Sequence, residues 1–258
     1  MALKAYERVV AARAKGRASA QDYIDNLIID FMELHGDRRF GDDKAVIGGI
    51  GKIKNMPVTV IAQAKGRSAK ERGMRNSGSP HPEGYRKALR LMKQAEKFHR
   101  PIFCIVDTSG AYPGIEAEKR GQGQAIAENL YEMSNLKTPI ISLFIGEGGS
   151  GGALALAVAD KVIMMENAFY SVISPEGCAS ILWKNPKLKK EAADSLKLTA
   201  YDMKKLGVAE FLINENVGSD FRHIYRKLED LLYQEFSKLL SLSNDELVNN
   251  RYKRFRKY

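Results

Sequence analysis

The feature that most constrains the fold is a set of three apolar runs within residues 101–166, "PIFCIVDT", "PIISLFI" and "KVIMME". A helical stretch separates each run from the next, and this alternation predicts a βαβαβ unit with parallel strands and right-handed crossovers. In such a unit, the loops that come after the strands lie at one edge of the sheet, where ligands bind. These loops are "DTSGAYPG" and "GEGGSGG", and we expect them to lie side by side.

The segments on either side of this unit predict further elements. Residues 1–35 show helical, amphipathic spacing, and the apolar segments of 45–66 predict two strands joined by a turn at 55–57. After Glu166 the pattern predicts another strand with no intervening helix. The remaining expectations are a basic loop over 67–80, a strong helix over 81–100, a capped short helix from 199, a long amphipathic helix over 222–240 and a basic tail.

The stretch "GEGGSGGALALAVAD", residues 146–160, fits three kinds of site. Gly146, Gly148 and Gly151 match the GxGxxG dinucleotide fingerprint. A GxSxG nucleophile elbow centred on Ser150 also matches. In the third interpretation, bare backbone N–H groups at a helix start hold an anion.

Residues further along the chain disfavour two of these interpretations. Glu166 stands 20 residues after Gly146, where a ribose ligand belongs. However, the helix after the turn is short, and no crossover helix leads to the strand after Glu166. The hydrolase interpretation requires a later histidine, and His223, the only histidine after Ser150, falls within an amphipathic helix.

The oxyanion interpretation requires only N–H donors, which "SGGA" supplies at a helix start. The absence of a Cβ at Gly151 and Gly152 lets a substrate oxygen approach the main chain. We therefore expect a Cβ added at either position to lower turnover without unfolding the helix start. A purely packing role for the glycines stays open.

Composition narrows the possible partners. The 258 residues carry a net charge of +10, which favours anionic partners. Four cations of the basic loop could bind phosphate or an acidic partner, although a solvated loop is an equal alternative; they are Arg67, Lys70, Arg72 and Arg75.

No apolar run has the length of a membrane helix, and the N-terminus lacks the apolar region of a secretory signal. The two cysteines form no CxxC pair, so we expect no metal site on this chain and a cytoplasmic location.

Several stretches together resemble the alpha subunit family of bacterial acetyl-CoA carboxylase carboxyltransferases. They are "FMELHGDR", "HPEGYRKALRLMKQAEKF", "DTSGAYPG", "ERGQ", "IGEGGSGGALA" and "YSVISPEGCASILWK", in family order over about residues 20–215. The resemblance implies an α/β fold, a crotonase-like ββα superhelix with flanking N- and C-terminal helices. Its expected parts are a helical segment over 1–40, the core over 41–215, and a C-terminal helix with a basic tail over 216–258, in a single domain.

The resemblance also implies an activity, which is carboxyl transfer from carboxybiotin to acetyl-CoA. The expected oxyanion donors are Gly151 and Gly152. The expected walls of the biotin pocket are Gly148, Gly149, Ser109, Gly110, Ala111, Tyr112 and Gly114. No cofactor is expected to be covalently bound to this chain, because carboxybiotin and acetyl-CoA act as substrates.

The partners implied by the resemblance are a carboxyltransferase beta subunit, which carries the zinc ribbon, the biotin carboxyl carrier protein and biotin carboxylase. An alpha2beta2 hetero-oligomer is expected, with no membrane or nucleic-acid partner. One departure is a short helical segment before "FMELHGDR", which affects a partner contact and not the chemistry. The alternative function is a non-catalytic scaffold or a nucleic-acid-binding regulator with the same fold.

Overall fold

The structure is a computed structural model that describes residues 3–215 and 221–258. Its centre is an eight-stranded sheet with helices on both sides. The strands are β1 (Ile29–Glu33), β2 (Val46–Ile53), β3 (Met56–Gln63), β4 (Ile102–Thr108), β5 (Ile140–Gly149), β6 (Lys161–Met165), β7 (Phe169–Ser171) and β8 (Phe211–Ile213).

The described helices range from single turns to a long C-terminal helix. They are α1 (Ala5–Ala12), α2 (Ala20–Leu27), α3 (Ala69–Met74), α4 (Pro82–Lys97), α5 (Ile115–Lys119), α6 (Gln122–Asn135), α7 (Ser150–Leu154), α8 (Pro175–Trp183), α9 (Lys189–Leu196), α10 (Ala200–Lys205), α11 (Phe221–Leu240) and α12 (Asn244–Phe255). Short 3₁₀ turns follow α3 and α8.

The sheet runs in the order β1-β2-β3-β4-β5-β6-β8. The first three strands are antiparallel, and every pairing from β3 onward is parallel. The predicted βαβαβ unit is therefore confirmed as β4, α6, β5, α7 and β6. Its strands are buried apolar runs, as expected for a sheet covered on both faces.

Strand β5 has two partners on one side, and this explains the strand that comes after Glu166 without a helix. Its first half, 141–144, pairs with β6, and its last residues, 147–149, pair with β7. The chain leaves β6, turns at 166–168 and then pairs with β5 again as β7. The β7 segment therefore supports the end of β5, where the glycine-rich turn begins.

The helical prediction for residues 1–35 was wrong at its end, because α2 stops at Leu27 and β1 comes next. The glycines of β2 give the physical reason. A Cβ at Gly49 would lie 2.3 Å from the Met32 carbonyl oxygen, and one at Gly51 would lie 2.3 Å from Ile28 Cγ2. The bare backbone of β2 thus lets the 28–33 segment lie against it as an edge strand, which overrides the helical spacing.

Two segments that were predicted to lack regular structure form helices instead. The basic stretch 67–80, predicted as a loop, contains α3, whose first turn is capped by the Ser68 hydroxyl. The C-terminal segment, predicted as a basic tail, forms α12. Its Arg251 is buried and donates to both carboxylate oxygens of Asp160. It also donates to three carbonyl groups, one in the last turn of α6 and two in the link between α6 and β5.

Candidate active site

The two glycine-rich loops lie in contact, as the parallel strands predict. Thr108 pairs with Gly148 at the ends of β4 and β5. A Cβ at Gly149 would lie 2.2 Å from the Ser109 carbonyl oxygen, and one at Gly152 would lie 2.4 Å from the Ala111 nitrogen. The backbones of the two loops are therefore packed directly against each other, with no room for side chains between them.

The glycines of the 146–152 stretch, which covers the end of β5 and the start of α7, have different roles. Gly146 makes room for the Asp107 carboxylate, which would lie 2.5 Å from an added Cβ, and Gly148 makes room for the Phe144 ring at 2.4 Å. At Gly151, by contrast, the nearest atom to an added Cβ is Ile126 Cγ2 at 3.8 Å. Packing thus explains the glycines around Gly151 but not Gly151 itself, where an added Cβ would have one neighbour, at an ordinary contact distance.

Helix α7 begins at Ser150, and its first N–H groups point out of the helix, since no earlier helical carbonyl can accept from them. Gly149, the residue that precedes the helix, provides no side-chain cap. Gly151 is half-buried, whereas Gly152 is buried. The start of α7 therefore presents backbone donors beside the 109–111 loop, as the oxyanion interpretation requires.

Ser150 has a positive φ of 48°, an uncommon conformation for a residue other than glycine. A nucleophile elbow has a strained serine of this kind, but the rest of a triad is not assembled around it. His223 lies on α11 and lines a groove with β8. Within the described ranges, no histidine forms a hydrogen bond with the Ser150 hydroxyl.

Glu166 has structural partners that account for it. Its carboxylate accepts from the Tyr201 hydroxyl at 2.9 Å and from the Glu215 backbone N–H at 3.0 Å, and Arg8 lies 3.5 Å away. Burial opposes ionisation of Glu166, but these donors outweigh it and lower its pKa. Gly146 and Gly148 are moreover part of extended β5 and not of a turn. The dinucleotide interpretation is thus not supported.

A charged cluster that sequence patterns did not reveal lies beneath the turn. Lys65 bridges the carboxylates of Asp107 and Glu147, and Arg13 Nε donates to Glu147 at 2.8 Å. Burial alone would raise the pKa of Glu147, but Lys65 and Arg13 outweigh it and lower that pKa. The Glu147 backbone N–H also donates to Asp107 at 3.0 Å, so the cluster ties the end of β4 to the end of β5.

This cluster lines a cavity of about 240 Å³ that includes Arg17, Arg72 and Ser109. Its cations are largely neutralised. Arg17, for example, is paired with Glu215 and also donates to the Ile145 carbonyl at 2.7 Å. The signal in the sequence was the single acid of "GEGG", because a carboxylate within a buried strand end needs a cationic partner.

The predicted pocket residues of the 109–114 loop are held by polar contacts. Thr108 Oγ1 accepts from the Gly110 N–H at 3.0 Å, and the buried Gln122 side chain donates to the Tyr112 carbonyl at 2.9 Å. The Tyr112 ring stacks on His81, with 4.2 Å between ring centroids. A Cβ at Gly114 would lie 2.4 Å from that ring. The structure thus brings 109–111 to the turn, whereas the Tyr112 ring packs on His81.

The four cations of the basic segment do not form one site. Arg67 pairs with Asp22, and Arg75 donates to the Lys44 carbonyl at 2.6 Å. Lys70 is exposed. Arg72 is the member that reaches the charged cavity. Arg72 also donates to the Gly66 carbonyl at 3.4 Å, so three of the four make contacts within the chain. The predicted role of the four cations in anion binding stays a prediction.

Buried side chains with no recognisable sequence motif hold α7 from below. The Gly152 carbonyl accepts from Gln63 and from Tyr85. Just after the helix, the Ala155 carbonyl accepts from Asn129 and the Leu156 carbonyl accepts from the Ser142 hydroxyl. A signal was present, because Gln63 interrupts the apolar strand "VTVIAQA". Its partner was not predictable, since it lies 89 residues along the chain.

The described residues include neither a metal-binding cluster nor a helix that could span a membrane. Over 3–215 and 221–258, no group of three or more His, Cys, Asp or Glu side chains is placed to hold a metal ion. In the same ranges, none of the helices has both the length and the apolar character needed to cross a bilayer.

Solved structures of low sequence identity show which fold this is. The chain superposes on transcarboxylase 12S with a TM-score of 0.70 at 20% identity, covering 88% of this chain and 43% of that one. It therefore spans less than half of the transcarboxylase chain. A Pseudomonas malonate decarboxylase hetero-tetramer gives 0.66 at 18% identity, covering 83% and 86%. The fold is the crotonase-like fold of carboxyltransferases, as predicted.

Sequence relatives narrow the class to one family. The family model "Acetyl co-enzyme A carboxylase carboxyltransferase-like" matches residues 1–258, and the chain belongs to this family. A protein of Ruminiclostridium cellulolyticum named acetyl-coenzyme A carboxylase carboxyl transferase subunit alpha is 60% identical over 255 residues, 99% of this chain and 98% of the relative. One of Bacillus cereus with the same name is 55% identical over 258 residues, 99% and 80%. The resemblance stated from the motifs is confirmed.

Proposed function

We propose that this chain is the alpha subunit of an acetyl-CoA carboxylase carboxyltransferase. It transfers the carboxyl group of carboxybiotin, carried on a carrier protein, to acetyl-CoA and so forms malonyl-CoA, the first committed step of fatty acid synthesis. The observation that carries the proposal is the open backbone at Gly151 in a chain that belongs to this family over its full length.

The chemistry suits a site made of backbone donors. When the carboxyl group leaves the biotin nitrogen, negative charge collects on the ureido oxygen. The N–H groups of Gly151 and Gly152 would stabilise that charge, and one such donor contributes roughly 3–4 kcal/mol in acyl chemistry. The positive end of the α7 dipole adds to the same potential.

The acetyl group must lose a proton to become the nucleophile. The biotin enolate formed on release of the carboxyl group can take this proton, so the reaction requires no side-chain base from this chain. This fits the glycine-rich turn, in which the only hydroxyl is that of Ser150. The backbone of Ser150 has a positive φ, and its hydroxyl has no histidine partner among the described residues. Carboxybiotin and acetyl-CoA thus act as substrates, and no cofactor is covalently bound to this chain.

The proposal includes partners. A beta subunit would hold most of the CoA and the second oxyanion hole, in an alpha2beta2 complex that also works with the biotin carboxyl carrier protein and biotin carboxylase. The relatives are named as subunits, which supports a multisubunit assembly. The cytoplasm is the proposed location. Family membership gives no support to the scaffold or nucleic-acid regulator.

The test is reconstitution. The chain is purified alone and with the beta subunit of the same organism, and malonyl-CoA formation from carboxybiotin and acetyl-CoA is followed by mass spectrometry. We expect transfer only in the reconstituted complex, and propionyl-CoA in a parallel reaction measures the acyl preference. A complex that assembles but makes no malonyl-CoA would refute the proposed activity.

A further inference from the structure

The carbonyl group of Gly152 does not accept the backbone hydrogen bond that a regular helix would give it. In a regular α-helix it would accept from the N–H of Leu156, four residues later. Here that N–H donates to the Ala153 carbonyl at 3.0 Å, because the end of α7 tightens. The Gly152 carbonyl accepts instead from Gln63 Nε2 at 2.7 Å and from the Tyr85 hydroxyl at 3.3 Å.

Both donors are fully buried and come from different elements, Gln63 from the end of β3 and Tyr85 from the first turns of α4. A carbonyl oxygen can only accept, so the Gln63 amide must turn its nitrogen toward Gly152. Its oxygen then lies buried without a hydrogen-bond partner in the described structure. Leaving this acceptor unpaired costs free energy, which indicates that the contact with Gly152 determines the orientation of the amide.

Tyr85 also acts only as a hydrogen-bond donor to Gly152. Burial, with a smaller contribution from Asp43, raises the pKa of its phenol, so the hydroxyl keeps its proton at any working pH. The hydroxyl also lies 2.9 Å from where a Gly152 Cβ would stand, so the tyrosine packs against the glycine as well as bonding to it.

We propose that Gln63 and Tyr85 are positioning residues for carboxyl transfer. They hold the peptide group that joins Gly152 to Ala153, and so fix the backbone from which the preceding N–H donors, those of Gly151 and Gly152, project at the start of α7. This inference rests on the proposed function. Its physical reason is that α7 has only five residues, too few to hold its own geometry without tertiary contacts.

The test compares three variants in the reconstituted carboxyltransferase complex. Gln63→Met removes the shorter bond at similar volume, and Tyr85→Phe removes only a hydroxyl. Thr138→Val is the matched control, because it also removes a buried side-chain bond to a carbonyl, that of Arg100 at 2.8 Å, but at the opposite end of β5.

We expect Gln63→Met to lower kcat by about 10- to 100-fold, the effect of a misplacement near 1 Å, with an unchanged KM for acetyl-CoA. Tyr85→Phe should lower kcat by only about two- to fivefold, because its bond is longer. Thr138→Val should lower the melting temperature about as much as Gln63→Met does, because each removes one buried hydrogen bond. It should leave kcat at the wild-type value.

Gln63→Glu gives a signature that a merely structural role would not produce. A buried carboxyl group has a raised pKa, and its protonated form can donate to the Gly152 carbonyl, whereas its ionised form cannot. We therefore expect kcat of Gln63→Glu, relative to wild type, to rise as the pH falls. The ratio for Gln63→Met should stay constant across the same pH range.

A second readout does not depend on catalysis. Hydrogen–deuterium exchange of residues 146–156 in the isolated chain should be faster in Gln63→Met than in wild type or Thr138→Val. The inference is overturned if Gln63→Met exchanges and turns over like wild type, if exchange rises while kcat is unchanged, or if Thr138→Val loses as much kcat. A wild-type complex without transfer activity would instead refute the proposed function and, with it, the catalytic part of this inference.

Discussion

Alanine substitutions at Gly151 and Gly152 should have opposite effects on stability, although the sequence alone treats the two glycines alike. An added Cβ at Gly152 would lie 2.4 Å from the Ala111 nitrogen, 2.8 Å from the Gly110 carbonyl carbon and 2.9 Å from the Tyr85 hydroxyl. Carbon atoms in contact prefer about 3.5–4.0 Å, so the 110–111 backbone must move by roughly 1 Å. The expectation from sequence that either variant would keep its stability is therefore wrong for Gly152.

The size of the effect can be estimated from overpacking. Inserting a methyl group into a packed site costs about 1–3 kcal/mol, and a backbone neighbour that cannot rotate away favours the upper part of this range. For a chain of this size, we expect the melting temperature of Gly152→Ala to fall by roughly 5–10 °C. Transfer activity should fall as well, because the donors and the neighbouring loop move together.

Gly151→Ala separates catalysis from stability. Its Cβ meets only Ile126 Cγ2 at 3.8 Å, and Gly151 does not have a positive φ, so the unfolding free energy should stay or rise by up to about 1 kcal/mol. The methyl group stands on the open side of the turn, where we propose that the ureido oxygen lies. Loss of one aligned donor should lower turnover by about 10²- to 10³-fold.

The assay measures melting temperature and carboxyl transfer for both variants in the reconstituted complex, with acetyl-CoA binding as a control that should change little. Two results would contradict these expectations. Wild-type turnover in Gly151→Ala would place the oxyanion hole elsewhere. A wild-type melting temperature for Gly152→Ala would show that the 110–111 backbone is not packed closely against Gly152.

Three further predictions concern other parts of the chain. Ser150→Ala should keep transfer within a few-fold of wild type; a loss of several thousandfold, or an acyl-serine trapped by mass spectrometry, would restore the nucleophile interpretation. Arg251→Met leaves the Asp160 carboxylate buried without its cation, so urea unfolding should show a loss of about 3–5 kcal/mol, partly recovered by adding Asp160→Asn; an unchanged midpoint would contradict this. Burial opposes ionisation of Asp37, but three backbone N–H groups and Arg86 outweigh it and lower its pKa to about 2. Its contribution of about 2 kcal/mol is therefore present above pH 4 and lost as the pH falls through 2, and urea unfolding from pH 5 downward should show a shallower acid slope in Asp37→Asn than in wild type.

Local sequence patterns were sufficient to predict the parallel core and the meeting of the two glycine-rich loops. Apolar runs that alternate with helices leave one topology, and parallel strands end at a common edge. The same local signals were sufficient for α4, for the capping box at Thr199 and for the return strand after Glu166. The family motifs added the likeness to carboxyltransferases, which the full-length relatives confirm.

Contacts between side chains that are far apart in the sequence depend on tertiary packing and could not be predicted. Residues 29–33 have helical spacing but form an edge strand, because the bare backbone of β2 receives them. Gln63 shows only that a polar group is buried; its partner at Gly152 depends on how β3 approaches α7. The difference between Gly151 and Gly152 arises in the same way. A local pattern reports burial and backbone preference, whereas the atoms that face each residue are set by packing between distant segments.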